Sequence, residues 1–341
     1  MSFAETRFSI TKSIKPIIDA LSAGYALVLK RIWLIILPIA LDTYLWIGPK
    51  LSARPLTRWL LSFWLPSEQI PAQIRPFVDA NKELLETIGQ ELDLFSLLSN
   101  SLVGIPSYLA GGLPEGVTGS SIVWGQGSSA LIVLAAIPLI LAAGLFLGSL
   151  YLGGIAQIAR QDRLDLGYLL RRVWRYWALV LLFGILLLGA LFIVGIPAFL
   201  IVALLEFFSS SLARLALLAI TGLLLWILFH LFFVPYAIVS EDTLLPAIWN
   251  SMIVVARNFW AVLFLVVLMN LISSGFSVIW DMASANALLM TISIAGNAFI
   301  GTGLIAAALI FYRDRLEQWQ AWLDQVQSKK SEKESNSLQE V

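Results

Sequence analysis

Apolar residues gather in six stretches along the chain, at about 32–49, 130–158, 177–205, 213–239, 259–280 and 287–312. Each is near the ~20 residues that cross a bilayer as a helix, and the second and third are long enough to tilt. The first is short and contains Pro38 and Asp42. Three shorter stretches carry apolar residues at helical spacing instead: Ile10, Ile14, Ile17, Ile18 and Leu21; Leu166, Leu169, Leu170 and Val173; Leu245, Ile248, Trp249, Met252 and Ile253. One-sided helices of this kind lie in the membrane interface.

Each in-plane stretch leads through a basic and an aromatic residue into a span: Arg31 and Trp33, Arg175 and Trp177, Arg257 and Trp260. Trp177 and Trp260 are 83 residues apart and Trp33 and Trp177 are 144 apart, a difference close to the extra length of the segment after the first span. This spacing suits three helical hairpins, the first carrying an insertion; the alternative is that Arg and Trp gather at any inner interface. The predicted fold is an all-α polytopic membrane protein with six transmembrane helices as three hairpins and interfacial amphipathic helices. Its parts are a cytoplasmic amphipathic helix at 1–31, the first span at 32–49, an extracytoplasmic helical lid at 50–129, the five remaining spans within 130–312, and a C-terminal segment at 313–341.

Within the lid, LTRWLLSFWL at 56–65 is too short to span and reads as an interfacial helix with Trp59 and Trp64 at headgroup depth. From Asp79 to Leu98 the positions Leu84, Leu85, Ile88, Leu92 and Phe95 predict an amphipathic helix, and the Gly, Pro and Ser residues of 101–121 predict a loop. The whole should lie on the membrane surface. After Tyr312, Leu316, Trp319, Leu323 and Val326 share one face, predicting an interfacial helix or a docking helix for a membrane or cytoplasmic protein partner, before a disordered tail.

Composition agrees with a bilayer environment: 59% of residues are hydrophobic and 13% are charged, about half the charge of soluble domains. Acidic and basic residues balance at 22 each, so nothing points to nucleic acid. With the N-terminus read as mature and cytoplasmic, only Lys50, Arg54, Arg58, Arg75, Lys82 and Arg214 of the 22 basic residues fall outside. That distribution favours both termini inside a bacterial inner membrane.

The chain has no cysteine and one histidine, His230, which excludes thiolate chemistry and multi-histidine metal or haem sites. A phosphate-binding glycine loop, a Ser/His/Asp triad and a zinc-protease motif are absent, so neither an enzyme nor a cofactor is expected. The stretch LLPAIWNSMIVVARNFWAVLFLVVLMNLI at 244–272 resembles the multi-span membrane domains of bacterial glycerophosphodiester phosphodiesterases and related membrane proteins. The resemblance covers at most the second half of the chain and implies a membrane fold. That family's catalytic barrel has no counterpart here, so no catalytic residue transfers.

Polar side chains inside spans are candidate functional residues. At 1.5 Å per residue, Asp42 and His230 lie ~13 Å, Asn270 ~16 Å and Asn297 ~22 Å from the inner boundary. Asp42, His230 and Asn270 thus share a level and could form a proton-linked or substrate-binding cluster; equally, each could be satisfied locally. Glu206 and Arg214 are expected to pair across a turn. Gly144, Gly148, Gly153 and Gly301 are expected to let helices pack closely, and Pro138, Pro197 and Pro235 to kink or break three spans. Two functions remain: a non-catalytic protein that organises lipids or partner proteins, or a carrier of a lipid or small solute using the buried Asp, His and Asn residues. The sparse buried polar inventory favours the first.

Overall fold

The computed structural model describes residues 3–64, 75–99, 102–114, 117, 119–125, 127–283 and 286–339. Its helices are α1 (Phe3–Lys30), α2 (Ile36–Ile47), α3 (Arg54–Trp64), α4 (Arg75–Glu91), α5 (Ala130–Gln161), α6 (Leu166–Phe208), α7 (Ser210–His230), α8 (Val234–Glu241), α9 (Leu244–Arg257), α10 (Phe259–Ala283) and α11 (Ala287–Gln339). Short 3-10 turns occupy Ile32–Ile35, Leu94–Leu98 and Leu109–Gly111. The parallel strands β1 (Lys50–Leu51) and β2 (Val123–Trp124) clip together the two ends of the insertion.

Among the described residues, five helical segments are long and apolar enough to cross a membrane: α5, α6, α7 with α8, α10 and α11. A sixth forms if α1 from Lys15 onward and the segment Ile32–Ile47 are taken as one span bent by 94°. The chain is therefore an all-α polytopic membrane protein. α6 packs on α7 and α10 on α11, whereas α2 and α5 are bridged by the 3-10 turns of the insertion.

The three basic-aromatic junctions fold differently. At Arg31 the backbone leaves the helical region (φ −135°, ψ 56°), and a 3-10 turn starts the next segment. Pro38 falls in the first turn of α2, where its missing N–H has no intrahelical partner to lose. At the third junction, Asn258 Nδ2 donates to the Val254 carbonyl at 3.0 Å and separates α9 from α10. Around Arg175 nothing breaks the helix, so in-plane stretch and span merge into the 43 residues of α6. At ~1.5 Å per residue this is ~64 Å, longer than the ~30 Å hydrocarbon layer at any usual tilt. Pro138 and Pro197 stay within unbroken helices, while Pro235 opens α8 after the break at 231–233.

α11 is the central helix, with 56% of its apolar window buried against 11–22% in the other spans. The sequence predicts α1 as an interfacial helix. Its Ile17, Ala20, Gly24 and Val28 are buried instead, and Gly24 rests on α11, where a Cβ would come within 2.6 Å of the Ala307 backbone nitrogen. Tyr25 overlies Gly303 in the same crossing and donates to the Ile300 carbonyl at 3.4 Å. This Gly24–Gly303 crossing is missing from the sequence reading, although Ala20/Gly24 and Gly303/Ala307 stand at the four-residue spacing of close helix packing.

One end of the bundle gathers arginines. There Arg31 pairs with Asp162 and Arg172 with Asp242. Arg160 donates to the carbonyls of Val239 and Ser240, while Glu241 accepts from Tyr312 at 2.6 Å and from Asn250 at 2.8 Å. We call this the arginine end, and the opposite one, with Gly48, Ser209 and Asp281, the loop end. Among the described residues the ion pairs are those two and Arg313–Glu317, so Glu206 and Arg214 form none. α11 runs unbroken past the arginine end to Gln339, in place of a separate helix and tail. Arg257 stacks on Trp319 and Trp322, with centroid distances of 4.1 and 4.9 Å, and fastens this extension to α9.

Candidate functional site

Where the sequence predicts a surface-lying lid, residues 97–99 and 102–109 pack down between the helices. Val103, Ile105 and Leu109 are buried, and the chain rests on three glycines of two spans, α5 and α11. A Cβ at Gly144 would meet the Leu98 carbonyl oxygen at 2.8 Å, one at Gly148 the Val103 carbonyl oxygen at 2.3 Å, and one at Gly301 the Pro106 Cβ at 2.2 Å. All three are closer than real Cβ contacts, so only glycine admits the loop. These residues, expected to serve contacts between spans, make room for inserted chain. Gly153 alone of the four meets a neighbouring span, through Leu169 and Tyr176 of α6.

Asp42 fastens the loop. Its fully buried carboxylate accepts from the Ser107 hydroxyl, from the Tyr108 N–H at 2.9 Å and from the Leu109 N–H at 3.3 Å. Tyr108 also reaches Asp281 of α10, its hydroxyl donating at 2.7 Å. Nearer the loop end, Asp93 accepts from the Leu51 and Phe95 N–H groups at 2.9 and 3.0 Å. Burial pushes the Asp93 carboxyl above its usual pKa, against the pull of those donors and of Lys50.

Beside the loop lies a laterally open cavity of about 430 Å³. Its walls are Ser99 and Gly104–Pro106 from the loop, Met269, Asn270 and Ser273 from α10, and Gly301, Leu304 and Ile305 from α11. Gly301 is ~21 Å along α11 from Ala287 at the helical rise, well inside the apolar stretch. No hydrogen bond among the described residues takes up the N–H groups of Gly104 and Ile105. Non-helical backbone at this depth is tolerated where it is buried in protein or lines a wet cavity. The cavity therefore offers the Asn270 amide and the Ser273 hydroxyl to an entering polar group, while the Ser99 hydroxyl donates to the Ser96 carbonyl at 2.9 Å.

The four sequence-predicted polar residues do not form one cluster. Asn270 lines the cavity and donates to its own helix, to Val266 O at 2.8 Å. Asp42 holds the adjoining stretch of the loop. His230 closes α7, with Nδ1 2.8 Å from the Trp226 carbonyl, and lines a separate apolar groove with Trp226, Trp249 and Met252. Asn297 is half-buried on α11 and does not line the cavity. Equal depth along different helices says nothing of which way a side chain faces.

Among the anchors, Trp33 and Trp260 are exposed, as is Arg175. Trp177 is half-buried and donates from Nε1 to the Ala142 carbonyl of α5 at 2.8 Å. The inserted loop backbone and Ser273 are the site residues that sequence reasoning missed; the one available signal was the Gly144, Gly148 and Gly301 set, whose partner the sequence does not reveal. Comparison with protein-family models, with curated proteins and with solved structures gives no match.

Proposed function

We propose that the protein is a non-catalytic integral membrane protein that admits lipid from the bilayer into the cavity beside the 102–109 loop and organises it there. The observation that carries this reading is the lateral opening of a cavity whose polar lining is confined to loop backbone, Ser99, Asn270 and Ser273. Such a lining suits a lipid, whose apolar part stays in the bilayer while one polar group finds partners. The basic residues at the arginine end support a cytoplasmic placement of both termini in a bacterial inner membrane. The α11 extension, with Trp322 and Val326 exposed, offers a face to a protein partner.

The test uses the full chain in nanodiscs with a phospholipid bearing a photoactivatable group near its glycerol. Cross-links should concentrate on residues 99–106 and 269–273, and Ser273→Trp, which fills the cavity, should remove them. Cross-links spread evenly over the outer faces of α6 and α7 would overturn the reading. The alternative, a carrier of a lipid or small solute, draws on the same cavity. It predicts accelerated transbilayer movement of a fluorescent lipid in proteoliposomes, where the organising role predicts none.

A further inference from the structure

A second cavity, of about 580 Å³, lies at the arginine end between the last turns of α1 and α5. Three cations line it: Lys30, Arg31 and Arg160. One carboxylate stands against them, Asp162, which Arg31 holds at 3.6 Å and which is largely exposed. Arg160 is held by neutral groups, the carbonyls of Val239 and Ser240 at 3.2 and 3.4 Å, and forms no ion pair among the described residues. Lys30 pairs with no acid among the described residues. The other walls are Gln161 and the apolar residues Ala23, Ala26, Leu27, Ile158 and Ala159.

We propose that this cavity binds the phosphate of an anionic phospholipid headgroup, with the start of the lipid's apolar chains against the alanine wall. A cation held by neutral acceptors, as Arg160 is, keeps its remaining donors for a phosphate, and basic recesses between helices at a membrane surface suit anionic headgroups. A free phosphate would share the charge chemistry but make no use of the apolar wall. This site is separate from the lateral cavity, and the inference does not depend on what occupies that one.

The experiment titrates the purified full chain with phosphatidylglycerol and, separately, phosphatidylcholine, counting bound lipids by native mass spectrometry. Phosphatidylglycerol should bind preferentially, Lys30→Ala should weaken it about fivefold, following ~1 kcal/mol per basic residue, and Lys30→Glu should weaken it further. Ala26→Trp, which fills the cavity and leaves every charge in place, should also remove the preference, whereas Lys329→Ala should not. Variants are compared only where their helical content and melting match the parent. The inference is overturned if the parent binds both lipids equally, or if Ala26→Trp keeps the preference, which would make it a diffuse surface effect. It is also overturned if millimolar inorganic phosphate displaces the lipid as well as phosphatidylglycerol itself does. Loss of the phosphatidylglycerol preference with intact cross-linking at residues 99–106 would remove this site and leave the proposed function standing.

Discussion

The Asp42 carboxylate accepts the backbone N–H of Tyr108 at 2.9 Å across 66 residues of sequence, tying the first short membrane helix to a loop inserted between the others. A buried acid is placed here to satisfy backbone donors that have entered the bundle, and it holds the polar wall of the cavity in position.

Asp42→Ala leaves the Ser107 hydroxyl and the Tyr108 and Leu109 N–H groups without their acceptor. At about 1–3 kcal/mol per orphaned buried group, the loss should reach 3 kcal/mol or more. Thermal unfolding in detergent should show it, together with new protease cleavage between residues 100 and 116. Asp42→Asn keeps one acceptor oxygen and should cost less than half as much.

Gly148→Ala sets a methyl 2.3 Å from the Val103 carbonyl oxygen, and it should destabilise by about 1–3 kcal/mol through overpacking. Gly222→Ala is the contrast. Nothing lies within 4 Å of its Cβ position, so helix propensity alone acts and stability should be unchanged or rise by up to ~1 kcal/mol. Equal melting temperatures for the two variants would contradict the inserted loop.

His230→Ala and Asp42→Asn should combine additively, with a coupling below ~0.5 kcal/mol in a double-mutant cycle, because the two side chains bond to different elements. A coupling above ~1 kcal/mol, the range of residues sharing one network, would restore the shared polar site that their equal depth suggests.

Arg257→Ala should free the α11 extension by removing its stacking on Trp319 and Trp322. Cation–π contacts contribute about 0.5–2 kcal/mol, so limited proteolysis after residue 313 should quicken several-fold. Trp319→Ala should have the same effect, and the double variant little more than either alone.

Sidedness is open to direct measurement. A reporter inserted at Gly127, which has open space around it, should be extracytoplasmic, and one fused to Val341 cytoplasmic. The reverse pattern would overturn the orientation.

The spans themselves were legible, since uninterrupted apolar runs near bilayer length leave a helix as the structure that satisfies its own backbone in lipid. So were the amphipathic helices α3 and α9, whose period is a local property of the chain. Junctions were legible only in part: Arg31 and Asn258 mark breaks, but Arg175 stands in an equivalent context and the helix runs through it. The glycines Gly144, Gly148 and Gly301 announced close approach without saying of what. Tertiary structure alone decided that a Gly- and Pro-rich stretch fills that space, that α1 crosses α11 at Gly24 and Gly303, and that Asp42 serves the loop while His230 and Asn270 face elsewhere. The physical reason is that hydropathy and period report each segment's exchange with lipid or water, which is a one-dimensional property. Backbone approach and side-chain direction depend on the rotation of each helix about its axis, which packing against the other helices sets.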